Sequence, residues 1–169
     1  IRILYIKSTY KMLSQCILGI VAMLLPGMLE NKFKIAIPSY MLILYTIFLY
    51  AAIYLGEVRS FYYNVPNWDN ILHTFSGAMI GALGFSIVTL LNKTEKVPIV
   101  LSPLFVALFS FCFAVTLGVI WEFYEFTFDG ILGLNMQKFA LENGTQLIGR
   151  AALTDTMVDL FVDAVGAFI

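Results

Sequence analysis

The sequence is poor in most of what marks a soluble or nucleic-acid-binding domain. Charged residues make up only 12% of its 169 positions and the formal net charge is −1. The ten basic residues are scattered rather than clustered, so no nucleic-acid partner is expected. There are two cysteines, Cys16 and Cys112, both in apolar runs, where a thiol is ordinarily a small buried hydrophobe. They support neither a disulfide framework nor a thiolate-rich zinc site, and they leave the redox compartment unread. His73 is the sole histidine, which weighs against a di-iron site built from two Glu-x-x-His motifs. Basic side chains are also missing over one long interval: no Lys or Arg occurs between Lys96 and Lys138.

What the chain does have is apolar length. Sixty per cent of its residues are hydrophobic and the mean hydropathy is +0.88, well beyond a soluble domain. The expected fold is therefore all-α, a polytopic transmembrane helix bundle in contact with membrane lipids. A span takes about 20 mostly apolar residues, and runs of roughly that length fall at about 11–29, 36–56, 68–91 and 99–128, with a shorter fifth at 155–169. "LENKFK" and "NKTEKVP" read as polar hairpins, Pro66 precedes the third run, Pro98 and Pro103 mark the fourth, and Pro26 is expected to kink or end the first. Residues 1–169 read as a single transmembrane helical domain, and 130–153 as an interfacial or re-entrant connection. A start at Ile1 and a stop within the apolar "DAVGAFI" suggest a piece of a longer protein. Six basic residues on the side expected to hold the acids (Arg2, Lys7, Lys11, Arg59, Lys138, Arg150) face four on the other, a slight lean toward a cytoplasmic site.

The acidic residues lie in the wrong place for such a chain. Of eleven Asp and Glu, seven fall in or at the edge of the expected spans. An ionisable side chain inside a bilayer costs about 3 kcal/mol even on lenient scales, so such groups are rare and face a bundle interior or a cavity. Their spacing is helical: Asp69 and His73 at i and i+4; Glu122, Glu125 and Asp129 at i, i+3 and i+7; Asp155, Asp159 and Asp163 at i, i+4 and i+8. On the third span the His73 face continues through Gly77, Gly81 and Gly84, small residues that admit a neighbouring helix. The three sets stand at the start of the third span, the end of the fourth and the start of the fifth, so alternating spans bring them to one leaflet. Asp69 and Asp155, near helix N-termini, also fit a capping role, but the fourth-span acids sit at a C-terminus, where negative charge is disfavoured.

Three readings follow. A bound divalent cation would neutralise the set with hard oxygen ligands; many oxygens and one nitrogen suit Mg²⁺ or Mn²⁺, then Fe²⁺. On that reading Glu122, Glu125, Asp129, Asp155, Asp159 and Asp163 are the candidate metal ligands. His73 is a ligand or a general acid/base oriented by Asp69, and Asn135, Gln137 and Arg150 stand near enough to meet a substrate. Activated water, or a metal-clamped diphosphate on a lipid-borne substrate, would make the protein a hydrolase or transferase. The second reading is an ion or proton relay in a transporter or channel, and the third a structural network hydrogen-bonded across helices.

The segments "WDNILHTFSGAMIGALGFS", "LGVIWEFYEFTFDGILGLNMQK" and "DTMVDLFVDAVGA" together resemble the YjdF-like family of bacterial integral membrane proteins, with a fainter similarity to VanZ-like proteins. The resemblance covers roughly residues 65–169. It implies a multi-pass protein of the bacterial cell membrane, with polar family positions at Asp69, His73, Glu122, Glu125, Asp129, Asn135, Gln137, Asp155 and Asp159. It implies no settled activity.

Overall fold

The computed structural model describes residues 2–33, 36–92, 101–141 and 143–169. Among them every regular element is helical, apart from one isolated antiparallel bridge between Ala140 and Gln146. Helix α1 spans Arg2–Phe33 and α2 spans Ser39–Leu49, running on without a break into a π-helical segment, Tyr50–Val58. A single turn, α3, covers Phe61–Asn64, and three long helices follow: α4 (Trp68–Asn92), α5 (Pro103–Leu132) and α6 (Arg150–Phe168).

Local chemistry accounts for most of these ends. Ser102 caps α5, its hydroxyl accepting the Phe105 amide at 3.2 Å, and Pro103 takes the first helical position, where its missing N–H costs nothing. Gly133, at φ 64°, closes the same helix in the left-handed conformation that glycine adopts without strain, its amide bonded to the Asp129 carbonyl. Pro26 lies inside α1, so it does not end that helix. "LENKF" belongs to the last turns of α1, and the Glu30 carboxylate accepts the Ile37 amide at 2.8 Å. The hairpin expected over "NKTEKVP", and with it Pro98, lies outside the described residues apart from its first Asn.

Three helices among the described residues are long and apolar enough to cross a membrane: Ser39–Val58, Trp68–Thr89 and Pro103–Leu132. The first and fifth expected spans are helical too, as α1 and α6; α6 holds three aspartates in 19 residues. The chain is thus a helical membrane protein, and its helices divide into two compact units, Ile1–Trp68 and Asp69–Ile169. In the first, the Tyr45 hydroxyl donates to the Ala22 carbonyl at 2.7 Å, joining α2 to α1. Its aromatic side chains pair, Tyr50 stacked on Tyr54 at 5.1 Å and Phe61 edge-on to Trp68 at 5.0 Å.

The second unit contains α4, α5 and α6. Its helices approach at backbone distance: a Cβ on Gly77 would strike the Asp163 carbonyl of α6, and one on Gly166 the Thr74 carbonyl of α4. Gly84, farther along α4, lies against α5 instead, where an added Cβ would stand 3.2 Å from Ser110 Cα. Small residues therefore set the spacing of this unit.

Candidate functional site: a buried acidic cluster

In α5 the buried residues are Val106, Ser110, Ala114, Gly118, Glu122, Glu125 and Asp129, a single stripe at steps of four and three. Leu108, Phe109, Phe123 and Phe126 lie exposed on its other faces, as a helix among lipid chains requires. The stripe begins apolar and small and ends in three carboxylates. Asp159 and Asp163 of α6 are buried in the same unit, 1% and 3% exposed, and so is His73 of α4.

His73 is held from two sides. Its Nδ1 stands 3.3 Å from Asp163 Oδ2, and its Nε2 is 3.8 Å from Asp69 Oδ1, one turn earlier on its own helix. Ser76 Oγ, which bonds the His73 carbonyl at 2.8 Å, lies 3.4 Å from the other oxygen of Asp163. Gly118 makes this possible, because a Cβ there would collide with Asp163 Oδ2. Asp69, His73 and Asp159 each offer a ligand atom, and the three atoms lie within 4.8 Å of one another.

The fourth-span acids have separate partners. Glu125 Oε1 accepts the Trp121 indole N–H at 2.9 Å and lies within electrostatic reach of Glu122, Asp69 and His73. Glu122 Oε2 accepts from the Gln137 amide at 3.2 Å, and the same nitrogen reaches Thr156 Oγ1 of α6 at 3.0 Å. Both oxygens of Asp129 are taken by backbone amides, those of Met136 and Gln137, at 2.8 and 3.0 Å. Asp129 thereby ties the connection 133–149 back onto the end of α5. Asn135 closes the connection from within, bonding Ala140 through both its amide groups.

Lys138, expected only as a basic residue flanking the acids, is a counter-ion inside the cluster. Its ammonium, half-buried, is bonded to Asp69 of α4 and to Asp155 of α6, the latter at 3.1 Å. Burial works to lower its pKa, but the Asp69 and Asp155 carboxylates outweigh that and hold it above the ordinary lysine value. Its isolation is visible in the sequence, as the one basic residue between Lys96 and Arg150, but the acids it pairs with are those of α4 and α6 rather than of α5. Ser76, Trp121 and Thr156 also belong to the arrangement and gave no sign in the sequence beyond ordinary helical positions.

Of the candidate residues, then, the structure brings together Asp69, His73, Asp155, Asp159 and Asp163 from α4 and α6, with Glu122 and Glu125 within electrostatic reach of them. Asp163 takes the contact to the histidine that the sequence reading gave to Asp69 alone. Asp129 and Asn135 are engaged by loop backbone, and Arg150 is exposed at the first turn of α6. Three carboxylate oxygens of the cluster, Glu122 Oε1, Asp155 Oδ2 and Asp159 Oδ1, are buried with no hydrogen-bond partner among the described residues. Such groups cost about 1–3 kcal/mol each, and more when charged, unless something satisfies them.

Comparison with known proteins places the chain without assigning this chemistry. A family model described as "Predicted membrane protein (DUF2238)" matches residues 2–169. A Thermotoga maritima protein named "Uncharacterized protein" is 31% identical over 125 residues, which cover 73% of this chain and 54% of that one. The chain therefore spans about half the length of that relative. No solved structure matches, and these matches carry neither the YjdF-like nor the VanZ-like name. The chain belongs to the DUF2238 family of predicted membrane proteins.

Proposed function

We propose that this DUF2238 protein binds a divalent cation between α4 and α6, on Asp69, His73 and Asp159. One observation carries the reading: three ligand atoms from two helices lie within 4.8 Å of one another, and the almost fully buried Asp159 keeps an oxygen there without a partner. Charge supports it, since among the described residues the seven carboxylates of this unit have Lys138 and His73 as their only paired basic groups. With Asp163 accepting from Nδ1–H, the His73 Nε2 lone pair is free to ligate, an outer carboxylate orienting a metal-binding imidazole. Two carboxylates and one imidazole suit Mn²⁺ or Mg²⁺, with Fe²⁺ next. A cation so held supplies Lewis acidity toward a phosphoryl or carbonyl oxygen. The function that follows is a metal-dependent hydrolase or transferase acting on a lipid-borne substrate.

Lys138 favours a second reading. An internal counter-ion bridging Asp69 and Asp155 lessens the need for a metal, and the unpartnered Glu122 and Asp155 oxygens could instead carry protons in an ion or proton relay. Elemental analysis and melting of the detergent-purified protein, with chelator and with Mn²⁺, separate the two. The metal reading expects Mn²⁺ to raise the melting temperature and chelator to lower it. A melting temperature unmoved by either, together with proton or cation flux in liposomes, overturns it in favour of the relay.

A further inference from the structure

We propose that Lys138 is a resident cation that competes with the divalent ion for Asp69 and so sets the affinity of the site. The inference rests on the cation site described above and adds to it a residue from outside the ligand set. Asp69 stands at the junction of two arrangements: one oxygen faces His73 Nε2 at 3.8 Å, while the other holds the Lys138 ammonium. Asp69 is also one of the three residues whose ligand atoms converge. A divalent ion on Asp69 and the ammonium on Asp69 are two cations claiming one carboxylate, and their mutual repulsion at that range makes the two occupancies unfavourable together.

The structure also gives the ammonium somewhere to go. Asp155 Oδ1 accepts from the same nitrogen at 3.1 Å, and Asp155 Oδ2 is buried without a partner among the described residues, so Lys138 can shift wholly onto Asp155 when Asp69 is taken. The backbone beneath it need not move. Gln137, the preceding residue, is fixed by its amide to Asp129 and by its side chain to Glu122 and Thr156. Lys138 itself lies in the left-handed region, at φ 46°, so the turn that aims its side chain into the unit is held in a conformation few side chains favour. Exchange between the two carboxylates is thus a side-chain movement on an anchored loop. The arrangement screens ions by charge, because a monovalent cation gains no more from Asp69 than the ammonium it must displace, whereas a divalent one does.

The test compares Mn²⁺ binding to the full chain in detergent, read by the loss of free Mn²⁺ signal in electron paramagnetic resonance, for wild type, Lys138→Gln and Lys138→Arg. Removing the competitor should tighten Mn²⁺ binding by about tenfold or more, the scale of a close charge pair, while Lys138→Arg should stay near wild type. In the wild-type protein, reductive methylation followed by mass spectrometry should label Lys138 faster with Mn²⁺ than with chelator, relative to the exposed Lys32; this readout holds even if Lys138→Gln fails to fold. Equal or weaker Mn²⁺ binding by Lys138→Gln, or labelling of Lys138 indifferent to Mn²⁺, overturns the competition and leaves the cation site standing. Absence of Mn²⁺ binding in every variant overturns both.

Discussion

Asp159 shows most directly what holds the cluster together. Among the described residues it is the most buried carboxylate, at 1% exposure, and its Oδ1 has no partner. A buried ion in that state is costly on its own and stabilising only beside a cation. Asp159→Asn should therefore act with opposite sign in two conditions. In chelator, removing an uncompensated charge should stabilise the protein by about 1–3 kcal/mol. With Mn²⁺ at a hundredfold its wild-type Kd, the variant should lack the roughly 3 kcal/mol that binding gives wild type. Melting of both proteins in both conditions reads the sign directly. A variant destabilised equally in chelator and in Mn²⁺ would show Asp159 to be a structural hydrogen-bonding acid.

At the level of the helices, the site depends on α4 and α6 meeting at backbone distance. A Cβ at Gly166 would run into the Thr74 carbonyl, which is backbone and has no flexible end to give way. Gly166→Ala should therefore push the helices apart, cost about 1–3 kcal/mol by overpacking, and loosen the His73–Asp163 pair one turn away. Lower melting with weaker Mn²⁺ binding is the expected result, whereas unchanged melting would mean that the helices do not meet there. The start of α4 is legible in the sequence because Pro66 punctuates it: the expected span 68–91 is Trp68–Asn92. The start of α6 was read five residues late, since its N-cap is Gly149, which offers no side chain to signal a cap. The π-helical turn over Tyr50–Val58 had no signature, because an apolar run looks the same whether its backbone is α or π. For the site, helical spacing exposed which acids share a face; which acid meets the histidine depends on how far Gly77, Gly118 and Gly166 let the helices close, a distance that spacing does not contain.

Across the whole molecule, charge divides the chain as its packing does. Among the described residues the buried ionisable groups belong to the unit Asp69–Ile169, while the unit Ile1–Trp68 has apolar and aromatic contacts of its own and none of the cluster's carboxylates. The pairing of Lys138 is not legible in the sequence for a reason at this scale: it lies in an irregular connection, nine residues past Asp129, and reaches two helices at once, which helical spacing along either one does not contain. A ligand that binds only the folded state stabilises the parts whose opening would release it. Mn²⁺ should therefore slow amide exchange in the first turns of α4, the last turns of α5, the connection 133–149 and the first half of α6. In α1 it should leave the amides over residues 17–28 unchanged, since no cluster residue lies in that unit. Exchange measured by mass spectrometry on the detergent-solubilised chain, with Mn²⁺ and with chelator, resolves these segments. Slowing confined to the second unit and strongest around Asp69, His73 and Asp159 supports the site. Slowing of equal size in both units would instead mean that Mn²⁺ acts on the detergent or on exposed carboxylates such as a charged surface offers anywhere, and the proposed ligand set would have to be abandoned.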